Sequence, residues 1–296
     1  MSAAIDLSQL PAPNVIEPLD YETILAAHLA ELEAAGVDLD ELTESDPAMK
    51  VLQVNSYREL KLRQRINEAA RALMLAYALD TDLDHIGANM DVPRLQIWPP
   101  NPDKGTAAVM EADDDYRRRI QLAPQGMSVA GPEGAYVFHA LSADGRVRNA
   151  TATSPSPGHV VVTILSHEGD GTPSQALLDI VAARLLDDDV RPLTDYVQVR
   201  AARVVHYQVN AKLYSFTGPD PSVVQIEAVK RLQRYVSEAH QLGRVPTHSG
   251  IDAALHVAGV ERVTLWSPPV DPDISKLVAY YCDDVQVAYA GIWGEA

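Results

Sequence analysis

One segment near the start of the chain, residues 46–94, constrains the fold more than any other. Its apolar residues recur at helical spacing over Ala48–Leu79, and at about 100° per residue they fall in one arc. The spacing predicts a long amphipathic helix with Pro47 at its first position. A Leu-Asp-rich turn follows and stops at Pro93. A helix of this kind is more typical of an assembly arm than of a catalytic pocket.

The apolar stripe of this helix has two interpretations. It is either a core-facing stripe with arginine stems along its edge, or an intersubunit surface, because arginine is favoured at interfaces. A predicted first helix carries Leu25, Leu29 and Leu32, which could cover part of the stripe. We predict the intersubunit role. The predicted interface residues are Val51, Val54, Arg58, Leu62, Arg65, Ile66, Leu73 and Tyr77.

Charge is distributed unevenly along the chain. The formal net charge is -17, and residues 1–50 hold eleven acidic side chains against the single Lys50. Residues 51–75 carry five basic side chains. Nucleic-acid affinity depends on clustered Lys and Arg, so the overall balance argues against a nucleic-acid partner. The asymmetry suits an element that docks on another protein.

Cysteine usage and hydropathy indicate a soluble protein made in a cytoplasm. Cys282 is the only cysteine, which excludes an internal disulfide framework and fits a reducing compartment. The N-terminus lacks the positive region and continuous apolar core of a secretory signal. No apolar run approaches the roughly 20 residues that a membrane helix needs. We therefore expect no membrane insertion.

The first half of the chain is predicted to be helical, with one linker. Three prolines between residues 11 and 18 predict an extended arm, and the first helix covers 20–35 before Gly36. An acidic connector at 37–47 leads into the long helix. Residues 95–112 contain three prolines and a glycine without periodicity, so they are the best linker candidate. A short helix then starts at the acidic run after residue 112.

Residues 128–296 are predicted to form two small α+β units with mainly antiparallel strands. The predicted fold class is therefore α+β, with an N-terminal helical arm. The expected regions are an assembly region at 1–94, a linker and short helix at 95–127, a first α+β unit at 128–200 and a second at 201–296. The predicted helices cover 128–142, 174–186, 221–241 and 249–258, and the strands 146–153, 159–165, 196–200, 203–214, 260–266 and 277–289.

Sequence motifs nominate no catalytic, cofactor or metal residue. His248 and His256 could share a helix face, but no zinc-type histidine motif is present. The loop 167–174 sits between a strand and a helix, as a phosphate loop does, yet it lacks the P-loop lysine. Short runs of aspartate fall at predicted element ends, where caps and turns explain them. Cys282 lies in an aromatic strand and is expected to be a buried thiol. We predict a protein that is not an enzyme.

Three segments, in this order, resemble the baseplate J-like family, the wedge proteins of contractile phage tails and tail-like bacteriocins. They are 46–94, 113–165 and 190–199. The family's usual glycine before the Leu-Asp pair is replaced here by Asp80-Thr81, and the extra β-rich domain of longer members is replaced by 95–112 alone. The matching positions are Asp82, Leu83, Asp84, Ile86, Arg117, Ile120, Pro124, Gly131, Pro132, Tyr136, His139, Arg191, Pro192, Leu193 and Thr194.

The resemblance implies a structural role without cofactors. Such proteins pair with a second copy and with a different wedge subunit through N-terminal helices. Their C-terminal domains join neighbouring wedges into a ring around the tail hub, near the sheath-proximal baseplate proteins. Assembly is expected in the bacterial cytoplasm and the mature location at the baseplate of the particle. The alternatives are a tail-associated cell-wall hydrolase using two acidic side chains, or a general protein-binding adaptor.

Overall fold

The computed structural model describes residues 5, 7, 10–11, 13–39, 42–218, 220–268 and 274–294. Part of the predicted acidic connector, residues 40–41, lies outside them. The chain divides into two compact units, one formed by residues 2–93 with Asp113–Ile120, the other by Arg94–Ala112 with Gln121–Ala296. The mixture of helices with small sheets confirms the α+β class and the N-terminal helices.

The first unit is helical. Helix α1 (Tyr21–Ala34) starts behind Asp20, whose carboxylate accepts a hydrogen bond from the Thr23 backbone N–H at 2.8 Å. Helix α2 (Pro47–Ala72) starts behind Asp46, which caps it in the same way. Helix α3 (Asp80–Ala88) follows a turn, and α4 (Asp113–Gly126) contributes its N-terminal part to this unit.

The predicted linker at 95–112 contains two short strands that the sequence analysis did not predict. Strands β1 (Gln96–Trp98) and β2 (Val109–Met110) pair antiparallel, with a 3-10 turn at Pro102–Lys104 between them. Gly105 has a φ of 61° at the end of that turn, which suits glycine. Strands of two and three residues are too short to produce a readable alternation.

The central α+β region contains a sheet of order β3-β4-β5. The two strands predicted at 146–153 and 159–165 are β3 (Val147–Ser156) and β4 (His159–Ser166), which pair as an antiparallel hairpin, and β5 (Tyr196–Ala201) pairs parallel to β4. Helices α5 (Glu133–Ala143) and α6 (Gln175–Leu185) bury their apolar residues against the sheet. The parallel pair requires a crossover, which α6 provides.

The C-terminal sheet has the order β7-β6-β8. The central strand β6 (Arg203–Ser215) pairs antiparallel with β7 (Val260–Ser267) and parallel with β8 (Val278–Ile292). Helices α7 (Pro221–Ala239) and α8 (His248–Leu255) cover one face. The strand predicted at 203–214 is confirmed as β6, and its alternate residues Tyr207, Val209, Ala211 and Leu213, which the sequence pattern places on one face, pack with these helices. Among the described residues three of the five strand pairs are antiparallel, and each of the two α+β regions has one antiparallel and one parallel pair.

The central and C-terminal sheets share contacts within one compact unit. Leu165, Ala202, Leu242 and Ala279 form a buried apolar cluster between them. The Thr151 hydroxyl donates to the Lys276 carbonyl at 2.6 Å, and the ring of His206 lies between Asp170 and Asp283 at 3.2 and 2.7 Å. Burial lowers the pKa of His240, which donates from Nδ1 to the Tyr280 carbonyl at 2.9 Å in its neutral form.

Candidate assembly surface

Helix α1 packs on a polar face of α2. His28 Nδ1 and Nε2 lie 2.8 Å from Ser56 Oγ and Glu59 Oε2 respectively. Because the Ser56 hydroxyl donates to the Leu52 carbonyl at 2.9 Å, it accepts the proton of His28 Nδ1. Burial would raise the pKa of Glu59, but hydrogen bonds from His28 and Arg63 outweigh it and lower the pKa.

An amide side chain holds the chain before α1 on the same face of α2. Asn67 Oδ1 accepts from the Glu17 backbone N–H at 3.1 Å, while Asn67 Nδ2 donates to the Glu17 carbonyl at 2.9 Å. Arg63 adds ion pairs to Glu17 and Glu59. Asn67 and Ser56 are the buried residues of α2, and both are polar. Sequence analysis missed this face, although Ser56, Glu59, Arg63 and Asn67 recur at helical spacing.

The predicted stripe lies on the opposite side of α2. Val51, Val54, Leu62 and Ile66 are 61%, 57%, 66% and 61% exposed, and Arg58 and Arg65 are also exposed. At about 100° per residue these six positions span an arc of about 120°, centred far from Ser56 and Asn67. Leu25, Leu29 and Leu32 are only partly buried and do not cover the stripe. The structure therefore excludes the interpretation of this stripe as a core face of the described chain.

The predicted extension of the helix to Leu79 was wrong. Helix α2 ends at Ala72, so Leu73 and Tyr77 belong to the following turn. Leu73 is 83% exposed, whereas Tyr77 is half-buried. The cause is a long-range contact: Arg117 donates to the carbonyls of Leu75 and Ala78 at 2.7 and 2.8 Å. These bonds hold the turn in a shape that helical periodicity does not reveal.

The replaced glycine at the start of α3 has a clear conformational cost. Asp80 has a φ of 46°, in the left-handed region that favours glycine. Its backbone N–H donates to the Asp113 carboxylate at 3.0 Å. A close approach nearby requires glycine, because a Cβ at Gly87 would overlap Tyr116 Oη.

The loop 167–174 uses its own carboxylates to satisfy the donors that a phosphate would need. Glu168 accepts from the Ser174 backbone N–H at 3.3 Å, and Asp170 accepts from that of Thr172 at 3.0 Å. Arg146 pairs with Asp144 and Glu168 at 2.8 and 3.2 Å. The loop is thus occupied by internal contacts.

The remaining candidates for chemistry have structural roles. Asp114 and Asp115 pair with arginines one helical turn later in α4, and Asp187 pairs with Arg184. His256 lies beside Asp252. Cys282 is half-buried, not fully buried as expected, and its thiol donates to the Asp284 carbonyl. The described residues contain no group of histidine, cysteine, aspartate or glutamate arranged to hold a metal ion, and no helix among them is long and apolar enough to cross a membrane.

An α+β fold whose long helix leaves an apolar face exposed in the described chain is typical of proteins that assemble with partners. Residues 44–101 match the model of the baseplate J-like N-terminal domain, and residues 128–201 match that of the baseplate J-like central domain. The chain is 47% identical to Baseplate protein J of Escherichia phage P2, over 97% of this chain and 98% of that protein. The chain therefore belongs to the baseplate J-like family. It is a structural component of a phage-type tail baseplate.

Proposed function

We propose that this chain is a wedge protein of a contractile tail. In this role it pairs with a second copy and with a different wedge subunit through α2. Its C-terminal region joins neighbouring wedges into a ring around the tail hub and links fibre attachment to sheath contraction. The proposed partners also include sheath-proximal baseplate proteins. The chain carries no catalytic role and assembles in the bacterial cytoplasm before it takes its place in the baseplate.

The exposed stripe of α2 carries this proposal. Burying a large aliphatic side chain stabilises a complex by roughly 1.5–3 kcal/mol, before the cost of association is subtracted. Four such side chains point away from α1 on one helix. Arg58 and Arg65 lie in the same arc, and arginine is enriched where protein interfaces are buried. A partner helix laid along α2 would cover the stripe without displacing α1.

The two α+β regions support the second part of the proposal. They form one compact unit with shared apolar contacts, so a force applied to one sheet is transmitted to the other. We propose the regional division 1–94, 95–127, 128–200 and 201–296 as a division of roles: pairing, connection, and two segments of the ring.

The experiment mixes the full chain with its neighbouring tail proteins and measures mass by size exclusion with light scattering. The expected result is a complex that the double variant Leu62→Asp and Ile66→Asp does not form, because two buried carboxylates would be desolvated at the interface. Gln64→Asp is the matched control, since Gln64 is exposed on α2 but outside the stripe. Assembly of the double variant at wild-type level would reject the interface.

A further inference from the structure

The C-terminal sheet has a second face that carries cations and aromatic rings. Lys212 Nζ lies 5.1 Å from the Trp266 ring centroid, and the Arg262 guanidinium lies 4.1 Å from that of Trp293. Tyr214 packs edge-on against Trp293, with centroids 5.1 Å apart. Lys212 and Tyr214 alternate in β6 with the buried Ala211 and Leu213. They therefore lie on the side of the sheet opposite α7 and α8. We call Lys212, Tyr214, Arg262, Trp266 and Trp293 the aromatic face.

Exposure and charge mark the aromatic face as a contact surface. Trp266 and Trp293 are 51% and 45% exposed. Lys212 and Arg262 are exposed too, and neither has a carboxylate partner within the described parts of the chain. Tryptophan and arginine are the side chains that most often dominate binding energy in interfaces. Both cations are held on rings, which fixes them in place for an acidic partner.

Helix α1 offers the complementary surface. Its outer side carries exposed Ala26 and Ala30, flanked by exposed Glu22 and Glu33. Neither glutamate is paired with a cation in the described part of the chain. At about 100° per residue this outer side lies away from His28, which contacts α2. Small side chains let a helix approach a sheet closely, and the flanking carboxylates match the two cations.

We infer that the aromatic face binds the outer side of α1 from a second copy of this chain. Glu22 and Glu33 then pair with Lys212 and Arg262, while Ala26 and Ala30 pack on the tryptophan rings. The contact joins two different surfaces, so repeated copies form a closed ring or an open filament. The inference rests on the proposed assembly role, but it uses neither the α2 stripe nor its partner.

Charge exchange between two full-length variants tests the contact by sedimentation velocity. One variant carries Lys212→Glu and Arg262→Glu, and the other carries Glu22→Lys and Glu33→Lys. The wild-type chain is expected to self-associate at about 0.1 M salt, where the repulsion between copies of formal charge -17 reaches only about 10 Å. Each variant alone is expected to associate at least about tenfold more weakly, because like charges then face each other. A mixture of the two variants is expected to recover association in a 1:1 ratio.

The matched control is Lys230→Glu with Arg234→Glu, which changes the charge equally on exposed positions of α7. This control is expected to associate like the wild type. Circular dichroism verifies that each variant is folded. Three results overturn the inference: a wild-type chain without salt-sensitive association, a Lys212 and Arg262 variant that associates normally, or a mixture that stays apart.

Failure of this inference can be told apart from failure of the proposed function. An electrostatic contact weakens as salt rises, whereas an apolar contact does not. The variant Leu62→Asp with Ile66→Asp should therefore lose binding to wedge partners and keep the salt-sensitive self-association. Loss of both together would show that one surface accounts for all the assembly.

Discussion

Helices α2 and α7 are both long and amphipathic, yet they use their apolar residues in opposite ways. Helix α7 buries Val224, Ala228 and Leu232 in the core of the C-terminal sheet, although Val223 and Ile226 near its start are exposed. Helix α2 buries Ser56 and Asn67 against α1 and the segment before it, and leaves the four aliphatic residues of its stripe in solvent. Helical periodicity of apolar residues thus predicts that one face of a helix is buried. It does not show whether the surface that buries this face belongs to the same chain or to a partner.

The largest expected change in the free energy of unfolding comes from a substitution in α7, the helix whose apolar residues are packed in the core. Leu232→Ala removes a fully buried side chain from the C-terminal core and should lower the free energy of unfolding by about 3 kcal/mol, since the core cannot fully close the cavity. Urea unfolding followed by circular dichroism measures the change. A loss below about 1 kcal/mol would mean that α7 is not the packed counterpart of α2.

The second effect tests whether the first unit is loosely packed. Gly87→Ala places a Cβ against Tyr116 Oη and the Val92 carbonyl, and should cost about 2 kcal/mol by overpacking. The same urea experiment applies. Adding Tyr116→Phe should return part of the loss, because it removes the nearest atom. If Gly87→Ala left the free energy of unfolding unchanged, the unit that carries the exposed stripe of α2 would lack a tightly packed core.

The third effect separates the polar face of α2 from its apolar stripe. Asn67→Ala removes both hydrogen bonds to Glu17 and should weaken the docking of the segment before α1 by about 1–2 kcal/mol. Amide hydrogen exchange over residues 13–34 reports the change, and Gln64→Ala is the exposed control on the same helix. Unchanged hydrogen exchange in the Asn67 variant would show that Asn67 does not hold the segment before α1 on the polar face of α2.

The fourth effect concerns pH. The folded pKa of Glu59 lies below its ordinary value of 4.5, so its contribution is complete above that pH and is lost as pH falls through the folded pKa. Contact between α1 and α2 should loosen below about pH 4.5, while the apolar contact of α7 should not respond. Distance labels on α1 and α2 measure the opening. Glu59→Gln should abolish its pH dependence, and a wild-type profile in that variant would contradict the assignment.

The smallest effect is expected on the open face. Leu62→Ala in the isolated chain should change the free energy of unfolding by less than about 0.5 kcal/mol, because the side chain is already in water. The same substitution should weaken binding to wedge partners. A large loss of stability in the isolated chain would show that Leu62 is buried in a core, as Leu232 of α7 is.

Sequence analysis predicted the elements whose pattern is local. The alternation in β6 is confirmed, because it reflects one buried face within a single element. In α7 the predicted helix is present and Leu232 and Ala239 are buried, but Val223 and Ile226, which share their three-to-four spacing, are exposed. The exposed interface residues of α2 remain a prediction about a partner. Their pattern was visible because an interface requires the same periodicity as a core.

The features that the sequence did not reveal depend on distant residues. The end of α2 is set by Arg117, which lies on α4, and the covered side of α2 is set by His28 and Glu17. The parallel pairing of β6 with β8 joins strands separated by two helices and β7. Nothing in a local window encodes these contacts. The short strands β1 and β2 were missed because they contain too few residues to alternate.

The open stripe of α2 also bears on how the chain behaves before its partners are made. An exposed aliphatic surface promotes non-specific aggregation, but copies that each carry a formal charge of -17 repel one another at low ionic strength. Added salt shortens that repulsion to about 8 Å at physiological ionic strength and leaves apolar attraction intact. The acidity of the chain thus opposes non-specific aggregation, and only a surface that matches the stripe gains enough from the contact to overcome this repulsion.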